Sequence, residues 1–326
     1  MLIRRDVSNR STCLIVGIIV AVTLLFACGI LTVALTGLSV PDIRQDEQSA
    51  SPQATLAPRD ETLIVSVLDV DQGQAVLIVA PDGGAALIDA GRSRTRVREE
   101  IVPYARSLGV ESLEYLILSH PDQDHVGGMP EVLEMFAVGN WVDPGIPTTN
   151  QTYEQTIEMI LDRDIPAVLA RQGEQLELGG GVRISLLWPQ SEFIMSSGEP
   201  DSNENSVVVL ISYGNIDILV PGDLEETGER ALVEQMGGDL ESEILVVGHH
   251  GSNTSSTAGF LDAVNASVAV ISAGEGNPYG HPHDEVLQRL RFRDVDIYRT
   301  DLDGTIEIRT DGAAYSIETV ETDTGS

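Results

Sequence analysis

The segment that most restricts the fold is His120-Pro121-Asp122-Gln123-Asp124-His125-Val126-Gly127-Gly128, which follows directly on the apolar run at 113–119. Four side chains able to bind a metal fall within six positions, on a loop at a strand end and just before an expected helix. Imidazoles and carboxylates packed this densely are costly to bury together unless something offsets their charge. A divalent cation does so. Gly127 and Gly128 are then expected to let the backbone turn sharply into the helix. The plain alternative is a solvated polar turn, and the buried strand feeding the loop counts against it.

Composition narrows the class. Of the 326 residues, 42% are hydrophobic and 21% charged, which allows a packed core and argues against wholesale disorder. Acidic residues outnumber basic ones 51 to 19, for a formal net charge of −32. Such a surface repels nucleic acid unless metal ions or a local basic patch offset it, which counts against a simple electrostatic DNA-binding module but not against an enzyme meeting phosphate only at its site. The two cysteines, Cys13 and Cys28, both lie near the N-terminus, so a later metal site must use His, Asp and Glu.

Residues 13–38 carry no charge, a length sufficient to span a bilayer. Arg4, Arg5 and Arg10 precede the stretch, while Asp42, Asp46 and Glu47 follow it. The positive-inside rule keeps residues 1–12 in the cytoplasm and exports the rest. The expected arrangement is a single-pass anchor at 13–38, a Pro-containing linker at 39–60, a catalytic domain at 61–320 and a frayed tail at 321–326. A lipoprotein processed at Leu25-Phe26-Ala27-Cys28 and a cleaved secretory signal are the alternatives, and each also puts the domain outside the cytoplasm.

Short β-branched runs at 63–69, 75–80, 85–89, 113–119, 182–188, 206–212, 216–221, 244–247, 267–272, 296–300 and 305–309 read as strands. Helical spacing marks 96–108, 129–136, 153–163, 225–236, 258–263 and 283–291. Runs of strands followed by single helices, twice over, predict an α/β sandwich with helices outside two packed sheets.

The loop at 120–125 resembles the His-x-His-x-Asp-His signature of the metallo-β-lactamase superfamily, with Asp122 where the second His usually sits. Together with VLDVDQGQA at 67–75, LIDAG at 87–91, Asn205-Ser206, PGDLE at 221–225, GHHGSNTSS at 248–256, NPYGHP at 277–282 and YRTD at 298–301, it is similar to the exported hydrolase domain of the ComEC competence family. The ordered set covers nearly all of 61–309. It implies a four-layer αββα fold and metal-dependent hydrolysis by a hydroxide held between cations. Only one apolar span is present, so a role in DNA import does not carry over.

The resemblance also implies roles. His120 and Asp122 would hold one metal, Asp124 and His125 a second, and Asp223 would bridge them. His249 is carried as a further ligand and His250, with Asp124, as a catalytic group, the division within the His pair being left open. Adjacent strand residues point to opposite faces, so both reach one site only where the strand has ended. His281 is the candidate for the last ligand. Asp89 would organise the site through hydrogen bonds, and Ser252, Ser255 and Asn205 would meet substrate. No His lies between His125 and His249, although the superfamily usually has a ligand there. Carboxylates in place of imidazole harden the site, so one or two ions of Zn²⁺ or Mn²⁺ are expected, with Mg²⁺ a further candidate. Arg92, Arg94, Arg96 and Arg98 form the domain's basic cluster, read as a solvated helix face or as a steering patch.

The expected function is phosphodiester hydrolysis, with DNA as the leading substrate. The alternatives are hydrolysis of a small phosphoester, lactone or lactam on the same scaffold, and a non-catalytic exported module. The sequence calls for the membrane as a partner through one helix and for no obligate protein partner.

Overall fold

The computed structural model describes residues 61–320. The expected anchor, the linker and the tail lie outside the described residues. Among the described residues no helix is long and apolar enough to cross a membrane.

Fifteen strands form two large sheets. The first has eight, in the order Tyr315–Val320, Thr305–Thr310, Leu63–Val67, Val76–Val79, Ala85–Ile88, Ser112–Ile117, Ala137–Asp143 and Ala167–Leu169. The second has seven, in the order Asp296–Arg299, Val268–Ile271, Ile244–Val246, Ile216–Val220, Val208–Tyr213, Val182–Trp188 and Gln175–Gly179.

Side-chain alternation along these strands produces the layers. Val65, Val67, Ile78, Ala86, Ile88 and Ile117 of the first sheet share one buried cluster with Ile184, Leu186, Val209, Ile211, Ile218 and Val220 of the second. The residues between them face outward onto helices. Leu77, Leu87 and Leu116 pack with Val97, Ile101, Met129 and Val132, while Leu219, Leu245 and Ile271 pack with Leu232, Phe260, Val286 and Leu290. Sheet lies on sheet, with helices outside both.

All of the expected strands and helices are present within a few residues of their expected bounds. Three strands of the large sheets were not expected between 137 and 179, nor was the last, Tyr315–Val320. Tyr315–Val320, Ala167–Leu169 and Gln175–Gly179 are sheet edges; the first and last are half polar and Ala167–Leu169 is only three residues long, so no apolar run of strand length announces them. Ala137–Asp143 carries Gly139 and Asn140, which disguise a strand paired in parallel with Ser112–Ile117.

Parallel pairing decides where chemistry can sit. Ala85–Ile88 and Ser112–Ile117 run side by side, as do Ile216–Val220, Ile244–Val246 and Val268–Ile271. Their C-terminal ends deliver Asp89, the 120–125 loop, Asp223, the His249–His250 pair and Ser272. Loops at that end of parallel strands are where α/β proteins build sites.

Gly127 and Gly128 serve a different purpose from the expected one. Their φ angles, −57° and −88°, are open to any residue, so no special turn is needed. Added Cβ atoms would lie 2.1 Å from the carbonyl oxygens of Arg92 and Ala90 respectively. The glycines let the metal loop press against backbone 90–92.

Candidate metal centre

Four imidazole Nε2 atoms converge on one carboxylate oxygen. Asp223 Oδ2 lies 3.3 Å from Nε2 of His125, 3.6 Å from that of His249, 3.7 Å from that of His250 and 3.8 Å from that of His120. Asp124 Oδ2 is 3.8 Å from His250 Nε2, and Asp122 Oδ2 is 3.9 Å from His120 Nε2. His120 and His125 are completely buried, and His250 and Asp223 nearly so.

The outer hydrogen bonds fix which nitrogen faces inward. His125 Nδ1 donates to Asp89 Oδ2 at 2.7 Å, and His250 Nδ1 donates to the Ser272 carbonyl at 2.9 Å. Ser119 Oγ gives its single proton to Asp89 Oδ2 at 2.7 Å, so it accepts from His120 Nδ1 at 3.0 Å. Each ring thus carries its proton on the outside and aims a bare Nε2 at the centre. Those three Nε2 atoms and Asp223 Oδ1 are buried without a hydrogen-bond partner. Buried lone pairs pointed at one another repel, and a divalent cation between them is the arrangement that removes the repulsion. The donor set fits a metal. Two groups have ligand atoms within 4.8 Å of one another: His120, His125 and Asp223, and Asp124, His125 and His250.

Charge follows the same geometry. Burial pushes His120 down, with the nearby His125 adding to it. Burial likewise lowers His250, so both rings stand neutral and ready as ligands. Burial pulls on His125 too, but the carboxylates of Asp223 and Asp89 outweigh it and raise that ring well above its ordinary value. Against the upward push of burial, His125 and His250 hold Asp223 well below the usual carboxylate range.

The His pair reaches one site because its strand has ended, at Val246. His249 and His250 both take left-handed backbone, with φ of 51° and 55°. Each such residue costs about 1–2 kcal/mol, so the turn is held by its surroundings. The ligand atoms of His250, Asp124 and His125 lie within 4.8 Å of one another, a grouping that does not include His249. His249 stands beside it, one-fifth exposed, with Nδ1 3.1 Å from Glu225.

Other expected residues occupy varied positions. Asp89, fully buried, accepts from Gln74, the Ser119 amide and hydroxyl, and His125. Asp122 has a half-exposed side chain and accepts from Ser202 Oγ at 2.8 Å. His281 packs its ring 5.7 Å from that of His249 and 6.3 Å from that of His250, outside both ligand groups. Ser252 bonds Thr254 near Glu225. Two of the substrate candidates have their side chains engaged by backbone. Asn205 is buried and uses its amide on the backbone of Ile194 and Asp201, and Ser255 donates to the Leu224 carbonyl. Their side-chain hydrogens are all engaged in holding loops together, which leaves no donor for a substrate oxygen. Sequence reading passed over Gln74, Ser119 and Glu225, although all three lie in or beside the quoted motifs.

Residues 68–189 match the family model described as the metallo-β-lactamase superfamily. Competence protein ComA of Neisseria gonorrhoeae is 35% identical over 259 residues, covering 79% of this chain and 33% of that protein. ComE operon protein 3 of Bacillus subtilis is 29% identical over 261 residues, covering 75% and 33%. The chain therefore spans about one third of the length of these curated relatives. Among solved structures, the diiron β-hydroxylase CmlA of Streptomyces venezuelae aligns with a TM-score of 0.47 at 12% identity, over 79% of this chain and 54% of that one. The metal loop thus lies inside a segment that matches the metallo-β-lactamase superfamily model, and most of the chain is similar to part of the ComEC-like competence proteins.

Proposed function

We propose that the domain is a metal-dependent hydrolase of phosphodiesters, with single-stranded DNA as the substrate to test first. The observation that carries this reading is the set of bare, buried Nε2 atoms around Asp223. A divalent cation bound there supplies a water of lowered pKa and offsets charge developing on a phosphoryl oxygen. His120, His125, His250, Asp124 and Asp223 would hold it, with Asp122 completing the open side. Asp89 and Ser119 keep two of the rings in the tautomer that ligation needs. Burial pulls His249 down, but Glu225 and Asp223 raise it, and at the edge of the site it would be the donor to a leaving oxygen. The resemblance to the ComEC competence family is what favours a nucleic-acid substrate.

The test uses the full-length chain purified without chelators. Metal content is measured, then cleavage of a labelled single-stranded oligonucleotide with Mn²⁺, Zn²⁺ or Mg²⁺. Cleavage abolished in Asp124→Ala supports the reading. Equal cleavage by that variant, or none by the wild type under any metal, removes it. The net charge of −32 favours a second reading, a small phosphoester, lactone or lactam. Turnover of such a compound with the oligonucleotide left intact would decide for it.

For placement, we infer that residues 13–38 anchor the chain with the domain outside the cytoplasm. Protease accessibility on intact spheroplasts checks this, and a fully protected domain contradicts it.

A further inference from the structure

Of the four clustered arginines, Arg94 pairs with Glu134, Arg96 with Asp71 and Glu100, and Arg98 with Glu131. Arg92 has no carboxylate partner among the described residues. It is exposed, and its Nη2 donates to the hydroxyl of Tyr279 at 2.9 Å. Its backbone abuts the metal loop, since Gln123 Nε2 donates to the Arg92 carbonyl at 3.4 Å. Four of the five guanidinium N–H groups remain available.

Tyr279 is equally unusual. One face lies nearly parallel to the His281 ring, at 5.6 Å and 24°, yet the residue is 49% exposed. A single half-exposed ring is common at a protein surface, but its fixed position here has a cause. Asn277 provides the local one. Its side chain donates to the carbonyls of Gly274 and His281 and accepts from the amides of Tyr279 and His281. The loop is bound to itself and presents Tyr279 as a fixed platform. Beside it runs a groove of about 570 Å³, lined by Val70, Gln72, Arg92, Asn277 and Pro278 among others.

We propose that Tyr279 and Arg92, whose guanidinium lies 6.0 Å from the Tyr279 ring centre, form a nucleotide subsite next to the metal centre, in which the exposed part of the Tyr279 ring stacks on a nucleobase and Arg92 binds the adjoining phosphate. Aromatic stacking tolerates any base, and a guanidinium fork matches phosphate oxygens. The groove also carries Asp71, Glu99 and Glu275, which repel further phosphates. The subsite therefore takes one nucleotide and is not a track for a long strand. This rests on the hydrolase reading for its substrate class, but it has a readout of its own.

The experiment is equilibrium binding of a labelled, phosphorothioate-linked single-stranded oligonucleotide to the full-length chain in Mn²⁺, followed by anisotropy. A matched abasic strand is the second probe. Tyr279→Ala is expected to raise Kd for the base-carrying strand about tenfold and to leave the abasic strand unchanged. Tyr279→Phe should stay within about threefold of the wild type, since the stacking face remains. Arg92→Ala should weaken both strands and lower the salt dependence by about one phosphate contact. Equal binding by Tyr279→Ala and wild type, equal weakening of both strands by Tyr279→Ala, or no wild-type binding overturns the proposal. Cleavage of the ordinary phosphodiester strand is scored separately. A wild type that binds with the expected pattern yet cleaves under no metal would sink the hydrolase reading and keep the subsite.

Discussion

Asp89 sits at the left-handed φ of 58°, fully buried, with four donors on its two oxygens. An amide offers one acceptor where the carboxylate offers two, so Asp89→Asn leaves His125 Nδ1 or Ser119 facing an N–H. Partners of this type cost about 10–100-fold in metal affinity or activity when removed. That loss is expected in a Mn²⁺ titration, and wild-type affinity would contradict the role. Proton competition gives a second expectation. Burial pulls His125 down, but Asp223 and Asp89 raise it well above its ordinary value, so a proton competes with a cation for its Nε2 more strongly than on a free imidazole. Metal affinity should therefore fall as pH is lowered, with proton release on binding seen by calorimetry in buffers of different ionisation enthalpy. At this scale the motif residues were legible, because donors crowded at a strand end need a shared counter-charge. Which of His249 and His250 enters the ligand shell was not, because it depends on two successive left-handed residues.

The helix Glu226–Met236 does more than cover the second sheet. Glu229, nearly buried, accepts from the backbone amides of Ser256 and Thr257, the two bonds that hold the loop following the His pair. Burial pushes this carboxyl up to about 7. A folded-state pKa above the ordinary value of 4.5 means that its contribution is fully present below 4.5 and is lost as pH rises through 7. The loss amounts to about 3 kcal/mol. Glu229→Gln resembles the protonated acid and cannot ionise, so its melting temperature relative to the wild type should climb between pH 5 and pH 8. Parallel profiles would show that the carboxyl is not raised. The elements themselves were readable where both faces of a strand are buried, as in Val76–Val79, and unreadable at the sheet edges, where half the side chains are polar.

Across the whole molecule, the two sheets supply ligands to one seam. His120, Asp124 and His125 come from loops of the first sheet, and Asp223 and His250 from the second. A cation there cross-links the halves, so saturating Mn²⁺ should raise the melting temperature, by about 2.7 kcal/mol of stability at a hundredfold excess over Kd. Asp223→Ala is expected to abolish the shift, and a shift kept in that variant would place the ion elsewhere. The net charge acts at the same scale. All 19 basic residues are arginine, and they face 51 acids, so self-repulsion opposes the compact state. Melting temperature should rise with sodium chloride as that repulsion is screened, and a flat or falling profile would refute the argument.

The sequence by itself determined the alternation that builds two sheets, the family resemblance and the crowded loop at 120–125, since these depend on neighbours along the chain. Tertiary structure alone decided that Ser119 and Asp89 orient the rings, that Asn205 and Ser255 are consumed by backbone, and that Arg92 meets Tyr279 from 187 positions away. The reason is physical. Periodicity and local charge are properties of a segment, whereas a hydrogen-bond partner is set by which strand ends the parallel pairing brings together.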